Sequence, residues 1–208
     1  MTSRQFPYVA VLLAIVTVIV SLTVNYLISG SLFGKVKVPE LEPYGGYTLE
    51  HLLNYEFWRL VASQLIHVKQ PHMIYNVLSL VAIGFAFERK IGALAFISIW
   101  LVAGSVGTFA STFTVPEPWN LGTGGSQAVL GLAAAGLVKY LKGETGGRVP
   151  FLVLALTILP AFALDLIFSE HHLPKLGHVL SFGFGALILL GFEFRARFAT
   201  NKLLKSDS

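Results

Sequence analysis

The chain has 208 residues, of which 54% are hydrophobic and only 12% charged, and its mean hydropathy is +0.70. Water-soluble domains average roughly a quarter charged residues; with half of that, a soluble globule could not cover its surface. Disorder and a collagen-like fibre are excluded on the same ground, and a disulfide scaffold by the absence of cysteine. The net charge of +4 and pI near 9.4 read as lysines and arginines flanking membrane spans rather than as a nucleic-acid surface. The composition is that of an integral membrane protein in contact with the lipid bilayer.

A span needs about 20 predominantly apolar residues, fewer where protein shelters its ends. The first apolar run, 9–28, is broken only by residues such as Ser21 and Asn25. It is too long for a signal peptide, lacks a small-x-small cleavage site before Ser29, and reads as a retained helix. The connection 29–57 carries Pro39, Pro43 and the Gly45-Gly46 pair. Too polar to cross a bilayer and too long for a turn, it is expected to lie in the interface. Further runs follow at 72–87 and 92–113. The fourth, 126–140, is short and reaches roughly 23 Å at 1.5 Å per residue. The fifth, 151–168, contains Pro160, where a kink is expected. The sixth is 176–194, and the basic tail 195–208, with Arg195, Arg197, Lys202 and Lys205, is expected to attract anionic headgroups. No repeat at a solenoid period and no low-complexity tract is visible.

The expected architecture is therefore an all-α membrane protein, a six-transmembrane-helix bundle forming one domain over 1–208. Its orientation follows from the cations. One side holds Arg4, Arg89, Lys90, Lys139, Lys142, Arg148, Arg195, Arg197, Lys202 and Lys205; the other holds Lys35, Lys37, Arg59, Lys69 and Lys175. The positive-inside rule then puts both termini in the cytoplasm. Spans two, four and six start at the outer face, so their N-terminal ends sit at a similar depth.

Polar groups inside a membrane are costly and by default functional. Three clusters lie at those three outer ends. In the first, His72 and Asn76 are one helical turn apart and share a face, after His67. The pair can aim two donors at one point; it can equally be a polar stripe bonded to neighbouring loops. A two-histidine metal site is disfavoured because the chain has no cysteine and few carboxylates near these helix ends. In the second, Gly122, Gly124 and Gly125 deliver Ser126 to a helix N-terminus, followed by Gln127 and Gly131. Most serines so placed are simple N-caps, but unpaired backbone N–H groups and the helix dipole also favour negative charge there. A phosphate loop would need a GK[ST] motif and a preceding strand, and the sequence offers neither. In the third, Ser181 and Gly185 share the face of His178, a face of small residues suited to close helix contact. A membrane histidine can simply bond a carbonyl; beside the start of span four it could take the proton of Ser126. Asp165, the single acid well within a span, lies near the outer side, where water or a partner could satisfy it. The His171-His172 pair reads as a solvated pair in the last outer loop.

Together these clusters supply a nucleophile (Ser126), a general base (His178) and oxyanion donors (His72, Asn76 and the Ser126 backbone N–H). His67-x4-His72-x3-Asn76, Gly124-x-Ser126 with Gly131-Leu132 five and six residues on, and His178 with Gly185 seven on resemble the rhomboid intramembrane serine proteases. Trp58-Arg59 and Glu88 fit the same pattern. The resemblance covers nearly the whole chain. It implies a six-helix bundle with a Ser–His dyad and no third acidic member, cleaving peptide bonds in or near the transmembrane helix of single-span membrane proteins. It implies neither metal nor cofactor, and span five as a mobile gate for lateral substrate entry. Two residues depart from the family pattern. Gln127 stands where glycine is usual and would crowd the Ser–His packing or add a donor near the oxyanion; Ser181 replaces a usual glycine.

A catalytically silent relative that binds membrane clients would keep the helices and normally lack the serine or the histidine; both are present here. A channel or small transporter would favour broken helices and midplane charges. The compact chain without long targeting extensions suits a bacterial inner membrane, with the site opening to the extracytoplasmic side.

Overall fold

The computed structural model describes residues 6–114, 120–168 and 175–206; Arg4 and the His171-His172 pair fall outside them. Among the described residues the regular structure is helical, apart from one isolated antiparallel bridge. The first helix, α1 (Tyr8–Ser29), ends at Gly30, which turns left-handed at φ 71°. Its first amides have no partner within the helix. The Glu88 carboxylate takes two of them, from Val9 at 3.1 Å and Ala10 at 2.8 Å, an anion at the positive end of the helix dipole.

The connection after α1 is more structured than its polarity and prolines foretell. It contains a 3-10 turn at Val38–Tyr44, α2 (Leu49–Leu53) and α3 (Arg59–Leu65). Leu41, Val36, Ile66, Leu121 and Val24 form a small core of its own beneath it. Arg59 is the tie. Its guanidinium donates to the carbonyls of Glu42 and, at 3.0 Å, Gly46, pairs with Glu56 at 2.6 Å, and lies over the Trp58 ring.

The second apolar run is longer than 72–87. It comprises α4 (Gln70–Ile83), a π-helical turn at Gly84–Glu88, and α5 (Arg89–Ile91). The wider turn is where Glu88 reaches α1. Then come α6 (Ala93–Ser111), α7 (Ser126–Leu141), α8 (Arg148–Phe168) and α9 (Leu176–Ser206). Among the described residues five helices are long and apolar enough to span a bilayer: Tyr8–Ser29, Gln70–Ile91, Ala93–Ser111, Arg148–Ile167 and Leu176–Ala199. The 16 residues of α7 reach about 24 Å. This helix is buried without a break from Gln127 to Gly136, so protein, not lipid, surrounds it. α9 continues past 194 through most of the basic tail, to Ser206; the tail contains no glycine or proline to stop it.

Close backbone approach holds the centre together. A Cβ on Gly185 of α9 would overlap the carbonyl of Gly131 on α7, and one on Gly177 would overlap the carbonyl of Gly107 on α6. At the opposite end, buried Lys139 of α7 pairs with Glu193 of α9 at 2.7 Å and with Glu144 at 2.8 Å, and Lys142 also meets Glu193. α8 is docked differently. Only 17% of its apolar window is buried, against 50% for α6. It runs through Pro160 without interruption. Proline has no N–H for the carbonyl four residues back, here Leu156. The hydroxyl of Tyr75, on α4, donates to that carbonyl at 2.6 Å.

Candidate active site

The approach to Ser126 is fixed by backbone pairing with the first loop. Tyr47 and Gly122 exchange both bonds of an antiparallel bridge, at 3.1 and 2.6 Å. Gly124 then turns with φ +96°, a conformation side chains resist, and its N–H reaches the Ser63 carbonyl at 2.8 Å. The next amide, Gly125, donates to His67 Nε2 at 3.2 Å. Ser126 thus arrives at the first position of α7, half-buried.

There Ser126 Oγ lies 3.1 Å from His178 Nε2, across 52 residues of sequence. The two helices bring them together because α7 and α9 run side by side over the Gly131–Gly185 contact. Gln127 lies against the Ser126 hydroxyl. Its Oε1 is 3.2 Å from Ser126 Oγ, an alternative to His178 as acceptor of the one hydroxyl proton, and its amide nitrogen donates to Ser111 Oγ at 3.5 Å. Crowding is relieved by Gly107, where an added Cβ would stand 2.8 Å from that of Gln127. Ser181 is fully buried against α6 and bonds back to the His178 carbonyl at 3.1 Å.

The first cluster divides its work. Asn76 is buried, and its amide nitrogen lies 3.1 Å from His67 Nε2. Two donors, Asn76 and Gly125, converge on that one nitrogen, so it is unprotonated and the ring proton sits on Nδ1. Burial, with the charge of nearby His72 adding to it, pushes the pKa of His67 down to about 3; this imidazole is neutral and serves as a strut. His72 faces open space. A Cβ on Gly124 would be 3.6 Å from His67 and 3.7 Å from His72 Nε2, and all three residues line a cavity of about 660 Å³ roofed by Val36, Val38 and Pro39. Asn76 Nδ2 has two protons, so one remains when the other is given to His67.

The resemblance implies no third acidic member, yet a carboxylate lies against the histidine. Asp165 of α8 puts Oδ2 2.6 Å from His178 Nδ1. Sequence reading put this carboxylate near the outer side of its span and left it to water or an unnamed partner.

The family model for the Rhomboid domain matches residues 54–193, more than half of the chain. The chain belongs to the rhomboid family. Similar curated proteins include the rhomboid protease GluP of Bacillus subtilis, 28% identical over 69% of this chain and 29% of that protein. The putative rhomboid protease YdcA of the same organism is 29% identical over 71% of each chain. The rhomboid protease AarA of Providencia stuartii is 25% identical over 48% of this chain and 40% of that one. The chain thus spans well under half of GluP and AarA and about seven-tenths of YdcA. Membership in this family, with the apolar helices described above, makes the protein an integral, multi-pass membrane protein.

Proposed function

We propose that this rhomboid-family protein is an intramembrane serine endopeptidase, hydrolysing peptide bonds in or near the transmembrane helix of single-span membrane proteins. The observation that carries the reading is the 3.1 Å approach of Ser126 Oγ to His178 Nε2. Ser126 Oγ attacks the scissile carbonyl carbon while Nε2 takes its proton. The oxyanion is met by the Ser126 N–H, His72 and the free proton of Asn76. Collapse breaks the C–N bond as Nε2 returns the proton to the leaving amine. Water, reaching the site from the outer cavity, then hydrolyses the acyl-enzyme with His178 again as base. Nothing in this sequence calls for a metal or cofactor.

The whole of 1–208 acts as one rhomboid-like domain with six spans, the short α7 included, both termini cytoplasmic and the site open to the extracytoplasmic side of a bacterial inner membrane. α8, the most lipid-facing of the helices around the site, is the gate for lateral entry. The test is cleavage of a single-span reporter by purified protein in bilayers. Ser126→Ala and His178→Ala abolish it with helicity unchanged; His72→Ala or Asn76→Ala lowers kcat by roughly 10²–10³-fold. A Ser126→Ala protein that cleaves at the parent rate overturns the reading.

A further inference from the structure

We propose that Asp165 is a positioning residue for this dyad: carried on α8, its carboxylate fixes His178 so that Nε2 presents a lone pair to the Ser126 hydroxyl. The inference rests on the proteolytic reading above and adds a third member to its site. Three observations carry it. Asp165 Oδ2 is 2.6 Å from Nδ1, the nitrogen turned away from the serine. Both side chains are withdrawn from solvent, Asp165 at 2% exposure and His178 at 7%. And Oδ2 is itself held by the N–H of Lys175 at 3.0 Å, with the Lys175 ammonium 3.8 Å from Oδ1.

An ionised carboxylate only accepts hydrogen bonds. Nδ1 must therefore carry the ring proton, which leaves Nε2 unprotonated and able to accept from Ser126. When Oγ attacks, the proton moves to Nε2 and the ring becomes a cation 2.6 Å from a buried anion. That charge pair is stronger for the low-dielectric surroundings. Asp165 itself takes no proton. Among the described residues the other charged or titratable groups around the ring are Lys175, at the start of α9, and His72, across the site on α4; Gln127 on α7 is a neutral amide.

A plain capping role for Asp165, tying Lys175 at the head of α9, makes a different prediction. A cap needs one oxygen on the Lys175 N–H and is indifferent to which imidazole nitrogen is protonated. The experiment therefore reads the tautomer as well as the rate. Protein labelled with ¹⁵N-histidine is compared in bilayers as parent, Asp165→Asn and Asp165→Glu, with His178→Gln identifying the His178 signals. In the parent, the His178 proton is on Nδ1. Asp165→Asn keeps an oxygen on the Lys175 N–H, but its neutral amide holds the Nδ1 proton weakly, and the share of rings protonated on Nε2 rises. Reporter kcat then falls by about 10²–10⁴-fold with KM within about twofold, while Asp165→Glu restores the parent tautomer and part of the rate. An Asp165→Asn protein with the parent tautomer overturns the inference, whether its rate is unchanged or falls only with its thermal stability. A parent protein that cleaves nothing overturns the proteolytic reading instead, and the tautomer measurement still decides whether Asp165 orients the ring.

Discussion

On one side of α7, helices α6 and α9 approach so closely that glycine is the only residue that fits at Gly107, Gly131, Gly177 and Gly185. On the other side α8 is held mainly through side chains: Tyr75 on the Leu156 carbonyl, the edge-on pair of Phe162 with Phe182, and Asp165 on His178. The first interface has no slack, because backbone against backbone cannot repack by changing rotamers. The second is a handful of separable contacts on a helix that mostly faces lipid. Ser126 and His178 both sit on the tight side, where their distance is set by the scaffold; the carboxylate that touches His178 sits on the loose side. An outward displacement of α8 therefore leaves the serine–histidine pair standing and removes its acid.

The sharpest way to break this contrast is to add one methyl group to α9 in two places. Gly185→Ala forces a Cβ into the Gly131 carbonyl, whereas Gly183→Ala, two residues earlier on the same helix, meets nothing within 4 Å. Gly185→Ala is expected to cost stability at or above the upper end of the ~1–3 kcal/mol range for overpacking and to abolish reporter cleavage. Gly183→Ala should be neutral or stabilising by up to about 1 kcal/mol. Thermal unfolding in detergent and the cleavage rate check both; equal effects would mean that the α7–α9 contact is not tight.

A smaller effect concerns the strut beneath the nucleophile. Folded His67 resists protonation until about pH 3, while the unfolded chain takes up a proton near the ordinary histidine value of 6.5. The unfolded state then binds more protons as pH falls, so stability drops between pH 6.5 and 3, by about 1.4 kcal/mol per pH unit below 6.5. Comparison with His67→Gln isolates this contribution: the parent should lose more of its Tm between pH 6.5 and 5 than the variant. Parallel profiles would contradict the account of His67 as a buried neutral base.

The smallest effect is on the loose side. Tyr75→Phe removes the donor that serves the carbonyl left by Pro160, worth about 0.5–1.5 kcal/mol. Cleavage of a transmembrane reporter is expected to rise by roughly two- to fivefold, in keeping with that energy. Cleavage of a short water-soluble peptide, which needs no lateral entry, should stay unchanged. A rise in both, or in neither, would separate α8 from the entry route.

How much of this was legible before the structure depends on the kind of contact. Apolar runs placed the starts of these helices to within a few residues, since hydropathy decides what a bilayer accepts, but not the end of α9, which runs on through polar residues. The neighbourhood of Ser126 and His178 followed from counting cations and noting that three polar clusters share one depth. What hydropathy cannot convey is which face of one span meets which face of another. Asp165 was visible as a costly buried acid, yet nothing along the chain says that its carboxylate turns towards α9. Gln127 was read against a family pattern, and its place beside the serine, as an alternative to His178 for the one hydroxyl proton, depends on the space that Gly107 leaves on another helix. The ordered first loop was hidden because its short helices are held by Arg59 and by the Tyr47–Gly122 bridge, contacts that leave no periodic trace. The shortness of α7 goes with its burial, which a run of apolar residues does not distinguish from exposure to lipid.

The most direct measurement is reaction of the purified protein with a serine-directed fluorophosphonate, with the modified residue located by mass spectrometry. The account predicts a single phosphonyl adduct on Ser126 that disappears in His178→Ala, because the hydroxyl needs the imidazole to lose its proton. No adduct on Ser126, or undiminished labelling without His178, would contradict it.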